Sequence, residues 1–143
     1  MIDRLTRRTP KSCYIRSLNI LGWDIFPDDA VELTIRTLGK YGVTVINAFD
    51  ALNDTRNMEG TIKATLAADM HAVASLVFSI SPVHTDDDYI AKAKELMAMG
   101  VHAIQLKDSG ALLTPDRVRT LVPKLRKVLG DKVKLHFHTH CTS

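Results

Sequence analysis

Three histidines at alternating positions near the end of the sequence offer the most direct chemistry in the chain: His136, His138 and His140. Residues two apart on a β-strand point to the same face, so any adjacent pair can close on one divalent cation. We predict zinc, manganese or cobalt, and because a metal site normally needs three or more protein ligands, the others must come from elsewhere. The alternative is that one or two of these imidazoles are satisfied by hydrogen bonds in a core strand.

Lys107 ends another predicted strand and is followed by Asp108. A lysine that points into a protein interior is costly to bury unless it is paired or chemically changed. Carbamylation by CO2 would convert the side chain into an anionic oxygen ligand for a metal. The alternative is an ion pair with Asp50 or Asp108.

Arg16 also lies at the end of a predicted strand and has no obvious local partner. Its planar guanidinium would suit a substrate carboxylate bound by two parallel hydrogen bonds. A structural ion pair with Asp50 or Asp54 is equally consistent with the sequence. His84 lies in a loop after another strand, and we expect it to be structural rather than catalytic.

The elements that must position these residues alternate regularly between strand and helix. β-Branched and apolar runs predict strands at 12–17, 43–48, 72–80, 101–106 and 133–138. Amphipathic segments predict helices at 28–41, 57–70, 86–99 and 115–129. Asp28 is expected to cap the first helix, and Thr114 the last, with Pro115 in its first turn.

Alternating strands and helices imply a parallel sheet built from right-handed βαβ units. Such a sheet can be doubly wound or part of a (β/α)8 barrel, and the missing glycine fingerprint counts against a dinucleotide-binding fold. Polar residues cluster after the strands, where a barrel places its active face. A complete barrel needs about 250 residues and eight strands. We therefore expect residues 1–143 to be one domain, the central fragment of a barrel.

The composition is that of an ordinary globular protein, with 45% apolar and 24% charged residues and a formal net charge of +3. No apolar run reaches the roughly 20 residues that a membrane span needs. A basic cluster at Arg4, Arg7, Arg8 and Lys11 lacks the aromatic residues and motifs of nucleic-acid binding. Two cysteines without framework spacing favour a reducing, cytoplasmic setting.

Five motifs in this order resemble the carboxyltransferase domain of biotin-dependent enzymes, a family that includes pyruvate carboxylase, the oxaloacetate decarboxylase alpha subunit and the keto-acid subunit of transcarboxylase. They are RSLNILGW at 16–23, FDALNDTRN at 49–57, SISPVHT at 79–85, LKD with LLTP at 106–115, and HFHTH at 136–140. The resemblance covers essentially the whole chain. It implies an α/β fold, a partial (β/α)8 barrel with parallel strands two to six only.

The resemblance also implies the roles of particular residues. Lys107, carbamylated, would bind the divalent metal together with His138 and His140. Arg16 would act in catalysis and grip the carboxylate of pyruvate or oxaloacetate, and Asn19 and Trp23 would help to bind this keto acid. Biotin, carried on a separate domain or a partner protein, would donate or accept the CO2.

The chain departs from the family pattern at several positions. Trp23 stands where many members have a substrate-contacting tyrosine, and Cys141 where an aspartate often follows. The family's first strand, which carries a metal-binding aspartate, and its last two strands are not in this chain. We therefore expect the isolated chain to be inactive and, because its sheet has two unpaired edges, to associate as a homo-oligomer.

Two other functions remain open on the sequence. A metal-dependent lyase of the same barrel superfamily would cleave or join carbon–carbon bonds of an acyl-CoA without biotin. It shares the paired histidines but gives no reason for the FDALND motif. A non-catalytic barrel remnant is the third possibility.

Overall fold

A computed structural model describes residues 5–6 and 8–140 of the chain. Arg4 and Arg7 of the basic cluster, and Cys141, lie outside the described residues. Strands and helices alternate as expected. The strands are β1 (Ser12–Ile15), β2 (Val45–Phe49), β3 (His71–Val77), β4 (Ala103–Asp108) and β5 (Lys134–Thr139). The helices are α1 (Asp28–Lys40), α2 (Thr55–Ala67), α3 (Asp86–Ala98) and α4 (Pro115–Leu129), and a short 3-10 turn spans Ser17–Asn19.

The five strands form one parallel sheet in the order β1-β2-β3-β4-β5. Each strand therefore pairs with the strands that precede and follow it in the sequence. A doubly wound sheet reverses its strand order at a switch point, and the described sheet has no such reversal. The sequential order is that of consecutive βα units in a barrel wall.

Of the helices α1 to α4, three begin at a side-chain cap. Asp54, Thr85 and Thr114 each accept a hydrogen bond from a backbone N–H in the first turn of α2, α3 and α4. The predicted cap at Asp28 is wrong, because Pro27 occupies that position and provides no side-chain hydrogen bond. Asp28 is instead the first helical residue, where its carboxylate lies near the positive end of the helix dipole.

The outer face of the sheet packs against the helices and forms the apolar core. Ile104 and Leu106 of β4 are buried there with Tyr89 of α3 and Leu121 and Leu125 of α4. Successive side chains alternate across a strand. The residues between these apolar ones therefore face the other side of the sheet, where polar groups predominate.

This inner face is lined by residues that occupy paired positions along the ladder. Tyr14 is paired with Asn47, and Ser75 with Gln105. Asn47, Ser75 and Gln105 are all buried, and the carboxyl end of this face holds the candidate site.

Candidate metal and substrate site

Lys107 and His138 occupy paired positions on the adjacent strands β4 and β5. Paired residues of a parallel ladder point to the same side of the sheet, so both side chains belong to the inner face at its carboxyl end. His140 lies just beyond β5, and its backbone N–H donates to the carbonyl oxygen of Asp108, 3.2 Å away. This bond holds the chain after β5 against β4.

The imidazoles of His138 and His140 converge. Their Nε2 atoms are 3.1 Å apart, and the ring centroids lie 5.1 Å apart at an interplanar angle of 64°. Burial, the positive charge of Lys107 and that of His140 lower the pKa of His138 below its usual value. A neutral imidazole at neutral pH is the form that binds a metal.

Lys107 has no carboxylate partner among the described residues. Its ammonium group donates to Ser109 Oγ and lies 5.1 Å from the centre of the Phe49 ring. Burial, and to a lesser extent the charge of Arg16, lower the pKa of Lys107. Both effects favour the neutral amine.

The carboxylates proposed as alternative partners of Lys107 are engaged elsewhere. Asp108 is fully buried and accepts the backbone N–H groups of Leu112 and Leu113, each at 2.9 Å. Asp50 accepts the N–H groups of Leu52 and Asp54 in the loop after β2. Each carboxylate closes a loop at the rim of the sheet, which leaves Lys107 free for another role.

Arg16 follows β1 and stacks on Trp23, with its guanidinium carbon 4.2 Å from the centre of the indole ring. Asp54, the other proposed partner of Arg16, forms its ion pair with Arg56 instead. Asn19 donates from Nδ2 to the carbonyl oxygens of Trp23 and Asp24 and so fixes this loop. Trp23 is 86% exposed, so the stacked pair presents its open side to solvent.

A groove of about 290 Å³ lies beside this pair. It is lined by Arg16, Asn19, Gly22, Trp23, Phe49, Asp50 and Ala51. Phe49 also contacts the ammonium group of Lys107, so the groove adjoins the candidate metal ligands. Arg16, Asn19 and Trp23, which the sequence grouped as substrate-binding, therefore line one depression.

The other histidines are separated from this centre. His136 pairs with Gln105 and lies two residues before His138, further from the carboxyl end of β5. His84 shares a 2.7 Å hydrogen bond with Ser81 in its own loop. His71 and His102 stack on each other at the opposite end of the sheet, with ring centroids 4.5 Å apart.

Sequence reasoning missed a hydrogen-bonded network below the histidines. The Tyr14 hydroxyl donates to Gln105 Oε1 at 2.7 Å and lies 3.5 Å from Nδ1 of His138. Ser75 Oγ donates to the same Gln105 oxygen at 3.1 Å.

The described residues supply some, but not all, of the ligands that a divalent cation site needs. Across residues 8–140, no three His, Cys, Asp or Glu side chains come together as a metal site. Two imidazoles do converge at 3.1 Å, and imidazole nitrogen is a good ligand for divalent transition metals. Lys107 on the paired strand position would complete a three-ligand set only after conversion to a carbamate.

Comparisons with known proteins give consistent relatives. No protein-family model matches the chain. It is 37% identical over 142 residues to a pyruvate carboxylase subunit of Methanocaldococcus jannaschii, a match that covers 99% of this chain and 25% of that protein. It is 34% identical over 129 residues to the methylmalonyl-CoA carboxyltransferase 5S subunit of Propionibacterium freudenreichii subsp. shermanii, covering 90% of this chain and 26% of that one. The chain thus spans about a quarter of the length of these relatives.

The fold of the chain also matches that of solved carboxyl transferase domains. The carboxyl transferase domain of Rhizobium etli pyruvate carboxylase, solved with pyruvate and biocytin, superposes with a TM-score of 0.95 at 28% identity. The match covers 99% of this chain and 25% of that domain's chain. These results confirm the predicted resemblance and the predicted fold, an α/β fragment of a barrel. In the part of the chain that the structure describes, no helix has the length and apolar character to span a bilayer.

Proposed function

Because this chain is homologous to a quarter-length segment of biotin-dependent carboxyltransferases, we propose that it builds one side of an active site that moves CO2 between carboxybiotin and a keto acid. Pyruvate or oxaloacetate is the proposed substrate. The observation that carries this proposal is the convergence of His138 and His140 beside Lys107, at the same edge of the sheet as Arg16. Polar groups of these types at one rim can hold a metal and an anionic substrate together.

Lys107, His138 and His140 are the proposed metal ligands from this chain. Burial and the charges of Lys107 and His140 lower the pKa of His138, which favours the neutral imidazole that can bind a metal. A divalent cation bound there would polarise the keto group as a Lewis acid and stabilise a developing enolate. Zinc, manganese and cobalt are the proposed candidates.

Lys107 is proposed to bind as a carbamate. The lone pair of the neutral amine forms a bond from Nζ to the carbon of CO2, and the electron pair of one C–O π bond moves to oxygen. Nζ then loses one proton to solvent water, which leaves an anionic carbamate with an oxygen donor. Burial and the nearby guanidinium of Arg16 both favour the neutral amine that this step needs. The same guanidinium would then lie near an anion rather than a second cation.

Arg16 is proposed to bind the keto-acid carboxylate through its fork of N–H donors. Stacking on Trp23 restrains the guanidinium plane, and Asn19 holds the loop that carries the indole. Trp23 is therefore proposed to shape the substrate groove through its ring face and to orient Arg16.

Biotin on a carrier domain or partner protein is the proposed CO2 donor or acceptor. The R. etli domain that superposes on this chain was solved with pyruvate and biocytin, which supports the same ligand classes here. A homo-oligomer and a cytoplasmic location are part of the proposal, as the sequence predicted.

A graft tests the proposed function. The segment of the M. jannaschii pyruvate carboxylase that matches this chain is replaced by the chain itself, and biotin-dependent carboxylation of pyruvate is measured. We expect activity in the graft and its loss in the His138→Ala graft. The His84→Ala graft is the matched control, because His84 bonds only within its own loop among the described residues and should retain activity. A graft that folds and stays active with His138→Ala would overturn the proposal.

A further inference from the structure

We propose that Tyr14 and Gln105 are positioning residues that hold His138 as its Nδ1-protonated tautomer, which leaves Nε2 free to bind a divalent cation. The inference rests on the proposed metal site. It adds a hydrogen-bonded support for one ligand of that site, contributed by β1 and β4, two strands that are not neighbours in the sheet.

The hydroxyl proton of Tyr14 is directed at Gln105. The Tyr14 oxygen lies 2.7 Å from Gln105 Oε1, the usual distance of an O–H···O hydrogen bond. A carbonyl oxygen can only accept, so the phenol must donate its single proton there. Ser75 donates to the same oxygen at 3.1 Å, which gives both lone pairs of that carbonyl a donor.

The phenol oxygen of Tyr14 also lies beside Nδ1 of His138. With its proton directed at Gln105, the Tyr14 oxygen can act only as an acceptor towards His138 Nδ1, 3.5 Å away. A neutral imidazole carries one N–H, and the partner of one ring nitrogen determines where that proton resides. An acceptor beside Nδ1 therefore favours the proton on Nδ1 and an unprotonated Nε2.

Nε2 of His138 faces the imidazole of His140. His138 Nε2 lies 3.1 Å from His140 Nε2, a hydrogen-bond distance at which one of the two nitrogens carries the proton. With the His138 proton on Nδ1, His140 Nε2–H is the donor, and the His138 lone pair is directed at the place where the second imidazole converges. Metal-binding histidines generally donate their other N–H to a protein acceptor, which fixes both the tautomer and the ring orientation. The Tyr14–Gln105 pair supplies this support.

Burial makes the arrangement specific. Gln105 is 7% exposed and Ser75 is fully buried, so water does not compete readily for the Gln105 oxygen. The Tyr14 ring also packs edge-on against Phe49, with centroids 6.5 Å apart. Replacing Tyr14 by phenylalanine keeps this ring packing and removes only the hydroxyl.

Two substitutions test the Tyr14 hydroxyl and the Gln105 carbonyl separately. Tyr14→Phe removes the acceptor beside Nδ1. Gln105→Met removes the carbonyl that holds the phenol proton, and the free Tyr14 hydroxyl can then donate into Nδ1, which favours the opposite tautomer. Tyr41→Phe is the matched control, because Tyr41 is 70% exposed at the end of α1.

The tautomer is read from the ¹⁵N chemical shifts of the His138 ring in the metal-free 143-residue chain at pH 8. We expect the Nδ1–H form in the wild type and in Tyr41→Phe, a mixture in Tyr14→Phe, and mainly the Nε2–H form in Gln105→Met. A wild-type His138 that is mainly Nε2–H, or a tautomer that neither substitution changes, would overturn the inference.

A titration with Co²⁺ alone, followed by visible absorption, gives the second measurement. Loss of an outer hydrogen-bond partner typically weakens metal binding about 10–100-fold, and we expect a loss in this range for Tyr14→Phe, with none for Tyr41→Phe. Wild-type affinity in Tyr14→Phe contradicts the positioning role. Absence of Co²⁺ binding in the wild type contradicts the proposed metal site instead, and the tautomer measurement still decides the inference.

Discussion

Lys107 and His138 are directly paired residues of the β4–β5 ladder. This pairing places an amine and an imidazole from different strands side by side without any loop to position them. Strands hold side chains more rigidly than loops do, which suits a site that must present ligands at fixed distances. The two residues provide the first test of the proposed metal centre.

Lys107→Ala should remove the metal. Loss of an outer-sphere partner already costs about 10–100-fold in affinity, so loss of a direct ligand should exceed ~100-fold. Metal content after purification with bicarbonate, measured by elemental analysis, checks this. Lys134→Ala, an exposed position at the start of β5, is the control and should keep its metal. Equal metal content in the two variants would assign Lys107 a structural role.

Arg16→Ala should weaken substrate binding more than metal binding. Hydrogen bonds to charged groups contribute about 1.5–3 kcal/mol, so in the graft the Michaelis constant for pyruvate should rise about 10–150-fold. The Co²⁺ affinity of the chain should fall far less, because Arg16 is only the smaller of the two influences that lower the pKa of Lys107. Arg119→Ala, on the exposed face of α4, should change neither quantity. A loss of metal in Arg16→Ala would show that the guanidinium supports the ligands rather than the substrate.

Asp86 should contribute stability that depends on pH. Its carboxylate forms ion pairs with Arg117 and with Lys124 of α4, the latter at 2.6 Å. The hydrogen bond from Arg117 and then that from Lys124 lower the pKa of Asp86 in the folded chain. The stabilisation is therefore complete above the ordinary carboxyl pKa of about 3.9 and disappears as the pH falls through the lower folded value.

Asp86→Asn should accordingly lower the free energy of unfolding by about 1–3 kcal/mol at pH 7. Urea unfolding at pH 7 and at successively lower pH measures the difference between the variant and the wild type. This difference should shrink towards acid pH. A constant difference across the series would mean that the carboxylate charge is not the source of the stabilisation.

Two buried threonines of α2 should respond oppositely to the same substitution. Among the described residues, Thr61 Oγ1 is buried without a hydrogen-bond partner, whereas Thr65 Oγ1 donates to the carbonyl oxygen of Thr61 at 2.7 Å. Valine has nearly the same shape and needs no partner. Thr61→Val should raise the free energy of unfolding by about 1 kcal/mol, and Thr65→Val should lower it by about as much. Thermal unfolding of both variants measures the contrast, and equal shifts would contradict it.

The strands and helices could be predicted because the chain alternates apolar runs with amphipathic segments. The bounds were less predictable. The strand expected at 101–106 is Ala103–Asp108, because its pairing with β3 begins at Ala103 and its pairing with β5 continues to Asp108. Asp28 was expected to cap α1, but its preceding proline already has the extended backbone of a cap residue, with ψ 156°.

The rim residues of the site could be predicted because each one ends a strand of a parallel sheet. The hydrogen bonds that Tyr14 and Gln105 form beneath these residues could not be predicted. Tyr14 and Gln105 are separated by 91 positions in the sequence and lie on strands that do not pair. Their contact depends on how strongly the sheet curves between β1 and β4, and no local pattern of residues encodes that curvature.

The sequential order of the sheet has a consequence for synthesis on the ribosome. Each new strand needs only the strand before it as a partner, and that partner has already left the exit tunnel. The chain can thus grow its sheet one βα unit at a time from the amino end. Proteins generally fold in this direction during translation. The growing edge would pass from β1 to β5, and the histidine pair would take its place after the four strands that precede it.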